Sequence, residues 1–396
     1  MSMRSKMIYL DHNATSPLLA RAREAMLATL DATANASSVH APGRNARACV
    51  EEAREKVARL VGSKTAGIVF TAGGSEANAL ALRGAVAGAL AAEDRITRIF
   101  VSAVEHESVR ANARALSESV AGVRLTEFPV RPCGSVDVDA FRLQLMQGKG
   151  RVFVSIMAAN NETGIVQPIE SVISAVRKEC GDDALIHIDA AQFAGRLPIS
   201  FDALGVDYMT VSAHKFGGPQ GVGALIMRES APLAPFSVGA QEMGRRGGTE
   251  NVAAIAGFGA AAEEVLAGAE NVERLRGLRD RFEAKLRELA PDTVVFGEKT
   301  ERLPNTSNFA VPGLAAETAL IALDLDGIAL SSGAACSSGK VRPSHVLAAM
   351  GVDETLARCG LRISLGPSNR EEDVDAALHA LKRLVERKSV LNVAAA

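Results

Sequence analysis

The stretch GVDYMTVSAHKFGGPQG, residues 205–221, places a lysine at the end of a predicted strand. An apolar, strand-like run over 206–211 leads through Ser212 and His214 to Lys215, and a glycine-rich turn follows. A lysine in this position can be partly desolvated, which lowers the pKa of its amine and makes the amine nucleophilic. Taken alone, the pattern also fits a lysine in an ordinary surface loop, so the neighbouring segments decide between the two interpretations.

A carboxylate ends the preceding predicted strand. The segment ALIHIDAAQ, residues 184–192, is short and apolar and carries Asp189 near its end. Open α/β sheets bind their ligands at the carboxyl ends of strands. Pyridoxal phosphate (PLP) forms a Schiff base with lysine, and a carboxylate that keeps its ring nitrogen protonated makes the ring a better electron sink. Two consecutive strands that end in Asp189 and Lys215 therefore predict a PLP site.

A glycine-rich turn between a strand and a helix is the second strong signal. In IVFTAGGSEANALALRG, residues 68–84, a β-branched strand runs into Gly73 and Gly74, and Ser75 opens an Ala/Leu-rich helix. Free backbone N–H groups and the helix dipole favour an oxyanion at such a position. The spacing differs from the Walker and dinucleotide fingerprints. A tight turn with Ser75 as the helix N-cap is the alternative interpretation.

These segments resemble those of the class V aminotransferase family, and within it the cysteine desulfurases of the NifS/IscS type. The resemblance covers nearly the whole chain, with YLDHNAT at 9–15, EHESV at 105–109, QEMGRRGGTEN at 241–251 and SSGAACSSGK at 331–340 in the family's order. It implies a fold-type I PLP-dependent α/β transferase, with a large domain on a mostly parallel sheet flanked by helices and a smaller C-terminal α/β domain. The alternation of predicted strands and helices independently favours a mostly parallel sheet with helices on both faces.

The candidate residues fall into three groups by the role that the resemblance implies. The catalytic group contains Lys215, which binds PLP, His106, which stacks on the PLP ring and moves protons, and Cys336, the nucleophile that accepts sulfur. The cofactor-binding group comprises Lys215, Asp189, Gln192, Gly74, Ser75, His106, Asn161, Ser212, His214 and Thr249. The substrate-binding group comprises Arg362, Asn161 and Asn13. A guanidinium such as that of Arg362 binds a carboxylate through two hydrogen bonds.

Four parts of the sequence qualify these assignments. Thr249 is expected to reach the PLP phosphate of a partner subunit, which implies a homodimer whose sites are shared between chains. Met243 stands where the family usually has arginine, and residues 367–369 depart from the family pattern after Arg362. Cys336 among small residues also fits a buried filler, but flanking Ser-Ser-Gly segments favour an exposed loop.

Length and composition limit the possible classes. The 396 residues suffice for two domains, and we predict an N-terminal arm at 1–17, a large domain at 18–262 and a small domain at 263–396. A net charge of −2 favours neither nucleic acid nor an anionic membrane. No apolar run approaches the roughly 20 residues of a membrane span. Five widely spaced cysteines predict neither a disulfide framework nor a metal site and fit a reducing cytoplasm.

The predicted activity is conversion of L-cysteine to L-alanine, with transfer of sulfur to an enzyme cysteine persulfide and then to an acceptor protein such as an iron–sulfur scaffold. Two alternatives stay open. One is another PLP reaction on the same fold, that of a selenocysteine lyase or of a small-amino-acid transaminase. A transaminase would form a keto acid. The other is a non-catalytic sulfur-transfer scaffold, which Lys215, Asp189 and Cys336 together disfavour.

Overall fold

The computed structural model describes residues 7–32, 34–268, 271–332 and 344–394. The described strands are β1 (Ile8–Tyr9), β2 (Ile68–Thr71), β3 (Ile96–Ser102), β4 (Arg124–Phe128), β5 (Arg151–Met157), β6 (Leu185–Asp189), β7 (Tyr208–Ser212), β8 (Gly223–Met227), β9 (Val294–Val295), β10 (Thr306–Ala310), β11 (Ile328–Ala329) and β12 (Gly360–Ser364). The described helices are α1 (Ala20–Leu30), α2 (Ala41–Leu60), α3 (Gly74–Ala79), α4 (Ala85–Ala91), α5 (Glu107–Ser119), α6 (Val138–Met146), α7 (Ile169–Cys180), α8 (Phe201–Leu204), α9 (Val252–Ala267), α10 (Asn271–Leu289), α11 (Ala316–Leu325), α12 (His345–Ala349), α13 (Glu354–Ala357) and α14 (Glu371–Ala394).

The central sheet places the ends of β6 and β7 side by side. Its seven strands have the order β2-β8-β7-β6-β5-β3-β4. Strands β3 to β7 are linked by parallel pairings, whereas β8 runs antiparallel to both β7 and β2. The predicted α/β architecture with a mostly parallel sheet is therefore confirmed. Because Asp189 pairs with Thr210 in the parallel β6–β7 ladder, Asp189 and the segment leading to Lys215 lie at the same edge of the sheet.

Helices cover both faces of this sheet, so its inner strands are apolar on both sides. Every residue of β6 and β7 is buried, as expected for strands of a covered parallel sheet. Phe153 and Leu185 pack in a cluster with residues of α3, α4 and α5. Val154 and Ile186, one position further along the same strands, pack in the opposite cluster with α2, α7 and α9. Period-two alternation thus separates the two core layers.

A second core surrounds a smaller antiparallel sheet of order β12-β10-β9. Residues of α10, α11 and α14 pack against it, among them Phe282 and Leu381. The N-terminal segment lies with this unit, because β1 pairs in parallel with β11 and Leu10 belongs to the same cluster. The division at residues 17 and 262 stays a prediction, and position 263 falls inside α9.

Apolar spacing in the sequence predicts helices over 19–31, 46–61, 255–289 and 315–325, and the structure corrects two of them. We expected a helix over 46–61, but α2 begins at Ala41, where the His40 side chain accepts a hydrogen bond from Gly43 N at 3.2 Å and caps the first turn. We also expected one long helix over 255–289, but α9 ends at Ala267 before Gly268, and α10 is separate. Among the described residues, no single helix is long and apolar enough to cross a membrane, and only α9 and α10 taken together, as a bent pair, reach that length and apolarity.

Candidate active site

The amine of Lys215 lies in the cleft beneath the N-terminal segment. A 3₁₀ turn, Ala213–Lys215, directly follows β7. Lys215 Nζ donates to Asn13 O at 2.8 Å and to Ala14 O at 3.0 Å. Burial lowers the pKa of this amine to about 8, and two nearby arginines, Arg196 and Arg362, add to the effect. About a tenth of the amine is therefore unprotonated at pH 7, far more than for an ordinary lysine, and this is the form that a nucleophile or base requires.

Asp189 is held as a hydrogen-bond acceptor at the end of β6. Its side chain is 5% exposed. Oδ1 accepts from Ala191 N at 3.0 Å, and Oδ2 accepts from Asn78 Nδ2 at 2.8 Å. Asn78 lies on the buried face of α3 and also donates to Ser108 Oγ at 2.9 Å. The structure thus fixes a carboxylate near the lysine, at the edge of the sheet where ligands bind in this architecture.

His106 stands at the beginning of α5, close to both of these groups. Its Nδ1 accepts from Ser108 N at 3.1 Å, which caps the helix. Burial lowers the pKa of His106; Asp189 opposes this shift, and the charge of Lys215 adds to it. Because Nδ1 is an acceptor, the neutral ring carries its proton on Nε2, where it is available for transfer.

The three predicted substrate-binding residues meet in one network. Arg362 is 4% exposed on β12. Its Nη1 donates to Asn161 O at 2.8 Å, and its Nη2 forms an ion pair with Asp11 Oδ1 at 2.5 Å. Asn13 Nδ2 donates to the same Asn161 oxygen at 3.1 Å and to Thr306 Oγ1 at 2.9 Å. Within the described part of the chain, Arg362 Nε has no hydrogen-bond partner.

The residues predicted for the phosphate side lie around the beginning of α3. Gly74 is the first residue of α3, and a Cβ there would come within 3.2 Å of Ser212 Cβ, so the turn and the end of β7 approach closely. Ser75 is exposed at the same turn. His214 Nδ1 lies 3.1 Å from Thr15 Oγ1, and burial, with the charges of Lys215 and Arg196, lowers the pKa of His214 to about 4.

For three further site residues, the contacts that the structure shows do not test the predicted roles. Thr249 is exposed on the loop before α9. The Gln192 amide donates to Asn13 O at 2.9 Å and accepts from Arg196 Nη1 at 2.5 Å. Cys336 lies outside the described residues. The cofactor contacts predicted for Thr249 and Gln192, and the nucleophilic role of Cys336, therefore stay predictions.

Four residues that line the cleft were not predicted as site residues from the sequence, and for two of them the local sequence gives an indication. They are Asp11, Asn78, Glu105 and Arg196. Asn78 is a polar residue in an otherwise apolar helical segment, three positions after Ser75, and such spacing places both on one side of a helix. Glu105 directly precedes His106. Nothing in the local sequence around Asp11 or Arg196 indicates the contacts that they make.

The residues present fit PLP in their chemistry. Lys215 offers an amine of lowered pKa, and Asp189 offers a fixed carboxylate. A Cβ added to Gly73 would meet no heavy atom within 4 Å, so the space beside this glycine is open. Asn78 Oδ1 and Arg362 Nε are buried without a partner among the described residues, and a bound group at the site can supply the partner that such polar atoms need.

The fold and the site define an α/β protein with a lysine of lowered pKa and a buried carboxylate at neighbouring strand ends. The chain belongs to the class V aminotransferase family, whose model, "Aminotransferase class-V", matches residues 8–377. Enzymes of this family depend on PLP.

Individual relatives agree with this assignment. The chain is 41% identical over 383 residues to the cysteine desulfurase IscS of Dictyoglomus turgidum. The aligned region covers 96% of this chain and 95% of the relative. It is 42% identical over 393 residues to an IscS-like cysteine desulfurase of Mycobacterium tuberculosis, with 98% and 99% coverage. The solved structure of a NifS-like protein from Rickettsia africae matches with a TM-score of 0.85 and 34% identity, covering 96% and 99% of the two chains. The resemblance to NifS/IscS-type enzymes and the fold-type I architecture are both confirmed.

Proposed function

We propose that this chain is a PLP-dependent cysteine desulfurase that converts L-cysteine to L-alanine and receives the sulfur as a persulfide on Cys336. The observation that carries the proposal is the lysine of lowered pKa beside a fixed carboxylate at neighbouring strand ends. A relative named a cysteine desulfurase, which is 41% identical to this chain over nearly its full length, supports the proposal.

Different residues of the chain would hold different parts of the cofactor. Lys215 would bind it covalently, and Asp189, oriented by Asn78, would face its ring nitrogen. His106 would cover the ring, with Asn161 and Gln192 near its phenolic oxygen. The phosphate would be held by Gly74, Ser75, Ser212, His214 and Thr249. When bound, PLP supplies an electron sink that stabilises negative charge at the substrate Cα.

Arg362 binds the substrate carboxylate, helped by Asn161 and Asn13. Lys215 Nζ takes the Cα proton, which its lowered pKa permits near neutral pH. His106 handles the proton of the substrate thiol. The thiolate of Cys336 then attacks the substrate sulfur: an S–S bond forms, and the C–S bond breaks with its electron pair left on carbon. Protonation of that carbon and return of a proton from Lys215 to Cα give alanine.

The proposal includes a homodimer in which Thr249 completes the partner's site. Val238, on the loop that leads to Thr249, is 90% exposed, and Val39 is 89% exposed. Their two loops touch, since Gln241 Nε2 lies 3.5 Å from Ser37 Oγ. Exposed apolar side chains on adjoining loops suit an interface between two copies. The acceptor of the sulfur is a further protein, such as an iron–sulfur scaffold, and a reducing cytoplasm is the setting that the thiol chemistry requires.

The test is the visible absorbance of purified protein loaded with PLP, before and after addition of L-cysteine, with alanine and sulfide assayed together. We expect a cofactor band that changes with cysteine, and equal amounts of alanine and reductant-released sulfide. Lys215→Ala should lose the band, whereas Cys336→Ser should keep the band and yield no sulfide. A keto acid in place of alanine would instead indicate a transaminase, and a parent protein without any band would refute the PLP site.

A further inference from the structure

Arg196 is a buried cation beside the site whose partners are all uncharged. Its Nη1 donates to the main-chain oxygen and to Oε1 of Gln192, both at 2.5 Å. Its Nη2 donates to Lys215 O at 3.0 Å and to His12 O at 3.3 Å. In the part of the chain that the structure describes, no carboxylate forms an ion pair with it, and burial lowers its pKa to about 9. Buried arginines are normally paired, so the missing anion needs an explanation.

The position of Arg196 links the Lys215 turn to the N-terminal arm. The main-chain oxygens of residues 12–14 point into the cleft, and each accepts a hydrogen bond there. Arg196 binds the first, Gln192 and Lys215 share the second, and Lys215 binds the third. Because Arg196 also binds the main chain of Lys215 itself, it fixes both the arm above the amine and the turn that carries the amine.

We propose that Arg196 is a positioning residue that clamps the Lys215 turn to the N-terminal arm and keeps an uncompensated positive charge beside the Lys215 amine. The inference rests on the proposed function of Lys215 as the group that binds the cofactor. A nearby positive charge disfavours the protonated amine by Coulomb repulsion, and water screens this effect little in a buried site.

Among the charges that face Lys215, Arg196 has the largest effect on its pKa, second only to burial. Arg362 on β12 lowers this pKa less than Arg196 does, and Arg362 is paired with Asp11 on the arm at 2.5 Å. Asp189 on β6 and Asp11 raise the pKa.

The remaining titratable neighbours do not alter this balance. His214, beside Lys215 in the chain, has a pKa lowered to about 4 and is neutral at pH 7. His106, at the beginning of α5, also has a lowered pKa. Removal of Arg196 therefore takes away the largest of the charge effects that lower this pKa, and the Lys215 amine becomes more basic.

The experiment measures the titration of the Lys215 amine in the full-length protein freed of PLP. Lysines are reductively methylated with ¹³C-formaldehyde, the Lys215 signal is assigned by its loss in Lys215→Arg, and its chemical shift is followed against pH by NMR. In Arg196→Gln we expect the pKa to rise by at least about one unit, which reduces the unprotonated fraction at pH 7 roughly tenfold. The rate at which the protein takes up added PLP should fall by the same factor.

Two variants separate the effect of the Arg196 charge on the Lys215 pKa from the effect of the Arg196 hydrogen bonds on stability. Arg196→Lys keeps the charge but cannot reach four acceptors, so the Lys215 pKa should stay near the parent value while thermal stability falls. Arg98→Gln is the matched control, because the hydrogen-bond partners of Arg98 among the described residues are likewise main-chain oxygens, those of Gln144, Leu145 and Gly148 at 2.8–3.2 Å. It should leave the Lys215 pKa unchanged.

The proposal is overturned if the Lys215 pKa in folded Arg196→Gln equals that of the parent, or if Arg98→Gln shifts it equally. If Arg196→Gln does not fold, Arg196→Lys decides, since a Lys215 pKa that rises there despite the retained charge refutes the electrostatic role. None of these titrations requires turnover. A protein without desulfurase activity would refute the proposed function and leave this measurement interpretable.

Discussion

The guanidinium of Arg362 is already bound to a carboxylate of its own chain. Asp11 Oδ1 lies 2.5 Å from Nη2, and Asn161 O lies 2.8 Å from Nη1. A substrate carboxylate has the same chemistry as the Asp11 side chain and must displace it or share the guanidinium through the unpartnered Nε. Asp11 therefore acts as an internal competitor for the residue that is proposed to bind the substrate.

Asp11→Asn should strengthen substrate binding. Asparagine can still accept a hydrogen bond from Arg362 but leaves its positive charge uncompensated, which favours an incoming carboxylate. We expect the KM for L-cysteine to fall by up to about tenfold, equivalent to about 1.4 kcal/mol, in steady-state assays. Arg362→Lys is the contrasting variant and should raise KM, because lysine lacks the planar fork. If Asp11→Asn raises KM as well, Asp11 orients Arg362 and does not compete with substrate.

The residue scale also shows what the sequence could predict about the site. Lys215 and Asp189 were predictable because each ends its own strand, so all the relevant information lies within a few neighbouring residues. The partners that tune them were not, because Asn78 and Asp189 are 111 positions apart and Arg362 and Asp11 are 351 apart. Contacts of this kind depend on the final packing of several elements and leave no local pattern.

At the scale of elements, a buried ion pair between Glu242 and Arg54 anchors the loop at 237–251 to the edge of the central sheet. Glu242 Oε2 accepts from Phe70 N on β2 at 2.7 Å and from Arg54 Nη1 at 2.9 Å, while Oε1 accepts from Arg54 Nη2 at 2.9 Å. β2 is an edge strand and Phe70 is buried, so Glu242 satisfies a backbone donor that would otherwise be buried without a partner. Glu242 and Met243 both have left-handed φ values, 48° and 59°, and the anchor offsets that strain.

Glu242→Gln should destabilise the protein strongly. It removes the buried carboxylate that pairs with Arg54 and leaves this arginine with the half-exposed carboxylate of Glu51, and breaking a buried pair in this way costs about 3–5 kcal/mol. The free energy of unfolding from chemical denaturation measures the effect. The control is Glu354→Gln, which breaks the exposed pair with Arg358 and should change stability by less than about 1 kcal/mol. Equal losses in the two variants would mean that the loop is held by its backbone alone.

Some of these elements could be predicted from the local sequence, and others could not. Apolar spacing located α1 and α11 to within a residue or so, because amphipathic helices carry their period in the local sequence. The antiparallel β8, which lies between β2 and β7, could not be inferred, since strand order is decided by pairings between distant segments.

For the whole molecule, several buried ionisable groups have pKa values far from their usual range. Burial raises the pKa of Glu105 from 4.5 to about 8 and that of Glu162 from 4.5 to about 7. Burial lowers the pKa of His12 and His187 from 6.5 to about 4. Between pH 4.5 and 6.5 the carboxyls bind extra protons in the folded state and the histidines in the unfolded state, so their effects on stability oppose each other. Above pH 6.5 these histidines are neutral in both states, and the two carboxyls alone lower stability as pH rises.

Glu105→Gln should therefore remove part of the loss of stability between pH 6.5 and 8. Glu105 is 0% exposed, and its Oε1 accepts from Ser102 Oγ and from Met157 N, each at 2.6 Å, while Oε2 has no partner among the described residues. Glutamine reproduces the neutral acid and keeps both accepted bonds. Stability at pH 6.5 should be close to that of the parent, because the Glu105 carboxyl is protonated there in the folded state.

Near pH 8 the variant should be more stable than the parent by up to about 2 kcal/mol, because each unit of pKa shift corresponds to about 1.4 kcal/mol. Denaturant unfolding at the two pH values gives the difference directly. Glu24→Gln, which changes an exposed carboxyl of α1, should follow the parent at both. If Glu105→Gln is instead less stable than the parent by the same amount at both pH values, the Glu105 carboxyl is already ionised in the folded protein, and its negative charge, beside Asp189, belongs to the electrostatics of the site.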